Sequence, residues 1–326
     1  MRRPLTLLWT AILLISATTP ASAYWVWTPK TGKWVNPRTQ PKDSPQDQFD
    51  FASKIYEQKD DKQAVREYLR LVRHYPKSSQ APDAQFMAGQ CYEQLEQPYQ
   101  AFLMYKKLVE IYPYSPRFKD AIARSYAIGE SFYDGAKIRP IQPVPIKVPA
   151  LDKAVEIFDH IVVQAPYGEF GDKAQFRLGQ TQRKLGNYGE ALKAFLKLVQ
   201  EYKQSPLIEE ARYNTAFCAK QLSLKPAYDQ ESTDQAIEWF QDFITSHPGS
   251  ELLPEAQQSL LQLRGHKAES LFTVAEFYRR QKKWPSAAIY YRRIVEQYAD
   301  TSWAGQAVAR LTELEQAGHI MTPAAS

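Results

Sequence analysis

One set of intervals constrains this chain more than any other: a small residue, then an alanine twelve positions on, an aromatic at sixteen, an aliphatic at nineteen and a proline at twenty-four. Gly89, Ala101, Tyr105, Leu108 and Pro113 define it, and Ala52, Ala64, Tyr68, Leu71 and Pro76 repeat it in full. Gly179, Ala191, Phe195 and Leu198 keep it with Lys203 at the proline position, and Ala275, Ala287, Tyr291 and Ile294 keep it with Ala299 there. Two further copies preserve the second half, as Ala154, Phe158, Ile161, Pro166 and as Ala236, Phe240, Phe243, Pro248. Six units are visible, their key alanines 37, 53, 37, 45 and 51 residues apart.

The residue types fit helix-on-helix packing. A Gly or Ala facing an Ala lets two backbones approach closely, and residues at +4 and +7 from the alanine share one helical face. The proline closes the second helix. This pattern resembles the tetratricopeptide repeat, whose small, small, aromatic and proline positions match. The fold class expected is therefore all-α: a right-handed tetratricopeptide-like helix-hairpin solenoid, preceded by a short N-terminal aromatic arm or β-hairpin. Units of a solenoid bury their faces only against their neighbours and offer a long surface instead of one deep pocket, which favours binding over catalysis.

Composition is ordinary for a soluble chain: 326 residues, 44% apolar, 24% charged. Formal charge is +5, of which Arg2 and Arg3 lie in the leader, so acids and bases nearly balance along the helices. No basic run stands out, which argues against nucleic acid as the partner.

Residues 1–23 read as a secretory signal, with Arg2 and Arg3 at the charged start, an apolar run from Leu5 to Ala17, and Ala21-Ser22-Ala23 as the cleavage site. The alternative is an uncleaved anchor, for which the run is short. No cysteine stands near the site to take a lipid. Residues 24–46 form a Trp-rich arm and linker. Trp25, Trp27 and Trp34 alternate with other residues around Pro29-Lys30-Thr31-Gly32, so they form either a cap on the first repeat or a docking arm.

N-terminal repeats occupy residues 47–133, a Pro-rich loop 134–150, and C-terminal repeats with a closing helix 151–316; residues 317–326 are expected to fray. Pro140, Pro143, Pro145 and Pro149 exclude helix from the loop, which reads as a hinge between two halves, a ligand for a partner's groove or a plain excursion. The stretch from Leu252 to Lys282 is long for one repeat helix, with Gly265 a candidate bend.

No catalytic constellation emerges. The histidines, His74, His160, His247, His266 and His319, lack metal-ligand spacing, and no phosphate loop or nucleophile elbow is present, so no catalytic residue, metal or cofactor is expected. His74, His160 and His247 fall near second-helix ends. Cys91 and Cys218 occupy equivalent positions three units apart, too distant for a disulfide, and read as buried small hydrophobes.

Three residues before each small position stands an aromatic: Phe49, Phe86, Tyr126, Phe176, Tyr213 and Phe272, taking Gly129 as the third anchor. By resemblance to tetratricopeptide repeats this position, with those at +1 and +4, faces the concave groove. That makes Gln90, Glu93, Glu130, Tyr133, Gln180, Arg183, Glu276 and Arg279 candidate partner contacts beside the six aromatics. The competing reading makes the aromatics core wedges between helix pairs.

The segment from Ala268 to Trp284, followed by Ala287-Ala-Ile and Tyr298-Ala-Asp-Thr301, resembles the last repeats of the BamD/ComL-like outer-membrane assembly factors. The resemblance runs over about residues 47–315. It implies a non-enzymatic periplasmic scaffold at the outer membrane that binds BamA-type periplasmic domains and β-barrel clients, with membrane association indirect, through partners. The missing N-terminal lipid cysteine, the Trp-rich arm and the Pro-rich loop depart from that family. Two rivals stand beside it: a CpoB-like periplasmic adaptor for cell division or cell-wall synthesis, and an envelope enzyme assembled across repeats.

Overall fold

The computed structural model describes residues 25–28, 32–35, 40–138, 148–223 and 230–320. The signal-peptide reading lies outside them. The described residues form an all-α solenoid of six helix pairs and a closing helix. The pairs are α1 (Pro45–Glu57) with α2 (Asp61–His74), α3 (Ala81–Gln94) with α4 (Pro98–Ile111), and α5 (Phe118–Tyr133) with α6 (Leu151–Gln164). They continue as α7 (Gly171–Lys184) with α8 (Tyr188–Glu201), α9 (Ile208–Ser223) with α10 (Gln230–Ser246), and α11 (Leu253–Arg280) with α12 (Trp284–Gln297); α13 (Ser302–Gln316) closes the array. Each helix packs mainly on the helix before and the helix after it.

The repeated intervals map onto these pairs as contacts. Ala101 and Tyr105 on α4 are fully buried, and a Cβ placed on Gly89 of α3 would overlap the Tyr105 ring. The same close approach recurs at Gly179, where a Cβ would stand 2.7 Å from the Phe195 ring, and at Gly129, 2.8 Å from the Phe158 ring. Between the helices of a pair the chain reverses through one left-handed residue: Lys59, Glu96, Gly135, Gly186 and Lys282 all have positive φ. The amide after each bonds back to a carbonyl five residues earlier, as Gln97 to Tyr92 and Asn187 to Gln182, which satisfies the last carbonyls of the first helix. Three of the five are not glycine, so no composition signal marks these turns.

A buried glutamine ties the two helices of three units together. Gln48, Gln85 and Gln175 each lie four residues before the small position and donate to the carbonyl of Glu67, Met104 and Ala194 on the second helix, at 2.8 to 3.2 Å. Tyrosines at second-helix ends make a further tie: the Tyr75 hydroxyl donates to the Lys42 carbonyl, just before α1, at 2.6 Å, and that of Tyr112 to the Pro76 carbonyl of the preceding unit at 2.9 Å.

Several expectations are corrected here. The Pro-rich segment lies inside the third pair and does not separate two halves. α5 and α6 close on each other across it, and one core cluster runs from Phe86 through Phe132 and Phe158 to Ala174. Its two ends pair as antiparallel strands, β3 (Lys137–Ile138) with β4 (Val148–Pro149), which pins the base of the excursion; residues 139–147 lie outside the described set. Gly265 makes no break, and α11 is a single helix of 28 residues. Its first half carries Ala256 and Leu263 into the core over α10, while Leu271 and Ala275 on its second half pack with α12 and α13. The described part of the tail is packed: the His319 ring stacks on Trp284 with centroids 4.4 Å apart. Both cysteines are free and buried, and burial pushes each thiol up to about 12.

His160 is buried within α6, not at an exposed helix end. Its ring meets Phe102 of α4 edge-on, and Nε2 lies 3.6 Å from a Glu110 oxygen, with neither ring nitrogen hydrogen-bonded. Glu110 and Lys106 of α4 face it, with Glu156 and Asp159 on its own helix. Burial lowers its pKa below 6.5, and the attraction of Glu110 only partly offsets this. A base whose folded pKa is lowered stabilises the fold fully above its unfolded value, and that contribution is lost as pH falls below about 6.5. The melting temperature of the native protein should therefore drop between pH 7 and 5 more steeply than that of His160→Phe, as followed by circular dichroism.

Candidate functional site

The first helices, α3, α5, α7, α9, α11 and α13, are joined side by side by polar contacts that cross from unit to unit. Arg124 of α5 donates to Glu93 of α3 at 2.8 Å, and Arg177 of α7 donates to Glu130 of α5 at 2.8 Å. Arg183 of α7 donates to Asn214 of α9; Lys220 of α9 donates to Gln262 of α11 at 2.6 Å and Ser259 at 3.1 Å. Arg310 of α13 donates to Glu276 of α11 at 3.1 Å. The result is a continuous ladder along the first-helix face.

The helical spacing explains why the face holds together. Positions +1 and +4 from the small residue stand about one turn apart on the side facing the next first helix. Glu93 and Glu276 also accept from the buried tyrosines of their own units, Tyr105 and Tyr291, each at 2.6 Å. Both tyrosine pKa values rise, chiefly through burial and then through these bonds. Burial pushes the Glu276 carboxyl up, but the hydrogen bonds from Arg279 and Tyr291, with the Arg279 and Arg310 charges, hold it below its ordinary value. Tyr133 lies under two cations, Arg177 with its guanidinium 4.8 Å from the ring centroid and Lys184 at 4.5 Å.

The sequence-predicted residues divide in two. Glu93, Glu130, Tyr133, Gln180, Arg183, Glu276 and Arg279 join this ladder; Gln180 accepts from Arg177 at 2.7 Å, and Gln90 is half-buried on α3 between them in register. The six aromatics lie beside it, against the second helices of their own units. Phe86 and Phe176 are 4% exposed, Phe49, Tyr126, Tyr213 and Phe272 are half-buried, and each of the six rings contacts an aromatic of its own unit's second helix. Phe49 lies 5.6 Å from Tyr68, Phe86 5.4 Å from Tyr105, Tyr126 5.7 Å from Phe158, Phe176 5.6 Å from Phe195, Tyr213 5.7 Å from Phe243 and Phe272 5.4 Å from Tyr291, centroid to centroid. The next unit covers several of them: Phe170 packs on Tyr126 and Trp303 on Phe272. A ring at −3 reaches toward the second helix of its pair, which buries Phe86 and Phe176 and leaves the other four partly exposed.

Sequence reading missed the basic partners, Arg124, Arg177, Lys220 and Arg310. Lys220 stands at +4 from Ala216 and was findable by the same rule, whereas Arg124 and Arg177 stand at −5 and −2 from their small residues, positions the repeat does not flag. The buried glutamines four residues before the small residue hold a fixed position and were findable.

The arm is a two-stranded antiparallel hairpin, β1 (Val26–Thr28) with β2 (Lys33–Val35), in which Trp27 pairs with Trp34. Trp25, Trp27 and Trp34 are 57%, 49% and 65% exposed, and none belongs to the core cluster of the first repeat. Among the described residues no helix is long and apolar enough to cross a membrane, and no group of three His, Cys, Asp or Glu residues could hold a metal.

Comparison with known proteins bears on this surface. Residues 147–324 match the family described as outer membrane lipoprotein, YfiO, and residues 53–78 and 83–115 match the tetratricopeptide repeat. The outer membrane protein assembly factor BamD of Caulobacter vibrioides is 22% identical over 162 residues, 50% of this chain and 53% of that protein. BamD of Xylella fastidiosa is 25% identical over 166 residues, covering 48% of this chain and 57% of its own. The chain thus spans about half the length of the curated relatives it matches. A tetratricopeptide repeat protein from Parabacteroides merdae superposes with a TM-score of 0.33 at 14% identity, covering 83% of this chain and 98% of that one.

Proposed function

The chain belongs to the YfiO family of outer membrane lipoproteins, which matches more than half of it, and from that premise we propose that it is a non-enzymatic periplasmic scaffold in outer-membrane β-barrel assembly. Its partners on this reading are BamA-type periplasmic domains and β-barrel clients, held on the first-helix face by Gln90, Glu93, Glu130, Tyr133, Gln180, Arg183, Glu276 and Arg279.

One observation carries the reading: the ladder is a row of partly exposed polar contacts across successive units, with ion pairs at Arg124–Glu93, Arg177–Glu130 and Arg310–Glu276. Side chains such as Arg124 at 47% and Glu93 at 24% exposure remain in reach of water. Pairs of this kind contribute roughly 0–1 kcal/mol each to stability, so a partner bearing its own charged groups can exchange into them at little cost. Charged rims of this type set partner choice and register more than raw affinity. The relatives named as assembly factors support the same direction.

A photo-crosslinking residue at Gln90 or at Gln180, in protein expressed in its own envelope, tests this. The expected product is a covalent adduct with a BamA-type barrel protein or an unfolded β-barrel client. Adducts with cell-wall or division proteins alone would overturn the assembly role and favour the CpoB-like adaptor.

A further inference from the structure

The hairpin puts all three of its tryptophans on one face. Trp27 on β1 and its cross-strand partner Trp34 on β2 share one side of the hairpin, and Trp25, immediately before β1, is two residues from Trp27, the spacing that repeats a side in extended chain. All three are about half exposed or more, and none joins the core cluster of the first repeat. Three indoles this exposed, on so short a hairpin, are an apolar surface that no core cluster of the described residues takes in.

Charge indicates what covers it. From Tyr24 to Lys42 the chain carries Lys30, Lys33, Arg38 and Lys42 and no acidic residue, in a protein whose acids and bases otherwise nearly balance. We propose that the Trp25–Trp27–Trp34 face is a membrane-interface anchor that seats the chain directly on an anionic phospholipid surface. Indole prefers the boundary between headgroups and acyl chains, where its ring is buried and its N–H stays hydrated. Basic residues beside such an insertion are drawn to anionic headgroups. A protein partner fits less well, because a stable protein interface needs about 800 Å² from each side, more than so short a hairpin presents. A bilayer needs no matching pocket. Attachment would then be direct as well as through partners, and it stands whichever protein the helical face binds.

The test is flotation of the full chain, purified from the periplasm of an expressing cell, with phosphatidylcholine vesicles with and without phosphatidylglycerol. Native protein should float with the anionic vesicles and be released by high salt. Trp25→Ala/Trp27→Ala/Trp34→Ala should lower the partition coefficient at least about tenfold, with helical content and melting temperature unchanged. The corresponding triple tyrosine variant should retain most of the binding. Absence of native binding to anionic vesicles, or equal binding by the alanine variant, overturns the proposal. So does capture of an envelope protein through the hairpin without lipid binding, which would assign the face to a protein.

Discussion

Truncating Phe195 to alanine is expected to lower the unfolding free energy by about 3–5 kcal/mol, the range for deleting a large buried ring. Phe195 is fully buried on α8, its ring against Gly179 on α7 and Phe176 one turn earlier. The Phe195 ring fills the space that Gly179 leaves by lacking a side chain, so truncating it opens a cavity between the two helices. In a solenoid each unit answers only to its neighbours, so the loss should be local. Hydrogen exchange should show α7, α8 and α9 opening with protection factors reduced by roughly a hundredfold to a few thousandfold, while α1, α2 and α13 keep theirs. Uniform loss of protection across all units would show that the array unfolds as one block.

The second large effect reverses the usual sign of a helix substitution. Gly to Ala in an open helical position stabilises by about 0.4–1 kcal/mol, and Gly265 in the middle of α11 is such a position, with nothing within 4 Å of an added Cβ. Gly171 is the opposite case. It opens α7, and a Cβ there would overlap the Pro166 carbonyl oxygen and stand 2.6 Å from its carbon. Both are backbone atoms of the turn leading out of α6, so no side chain can swing aside. Gly171→Ala should cost about 1–3 kcal/mol, the range for overpacking, whereas Gly265→Ala should raise the denaturation midpoint. Urea melts of the two variants beside the native protein decide it: a gain at both would mean that the Pro166 turn is soft enough to move.

Much of this fold is legible before any coordinates. The small residue at zero, the alanine at twelve and the aromatic at sixteen locate both helices of a pair and name the atoms that touch, because these contacts lie within one unit and their spacing is set by helical geometry. Cys91 and Cys218 could be placed as buried and unpaired for the same reason. The candidate face was half legible. The +1 and +4 positions lie where their register puts them, while the aromatics at −3, predicted from the same register, turn inward onto Tyr68, Tyr105 and their equivalents. A ring's direction depends on the second helix it meets, and a count of residues does not contain it.

Sequence by itself determined the units, their order and their internal contacts, since each follows from local periodicity and from the cost of leaving an apolar stripe in water. Tertiary structure alone decided how units meet. It joined Glu130 to Arg177 across 47 residues, closed α5 onto α6 beneath the Pro-rich excursion, carried α11 through Gly265 without a break and left the hairpin's tryptophans about half exposed or more. Each of these depends on the angle and distance between elements far apart in the chain, which emerge only when the whole array packs.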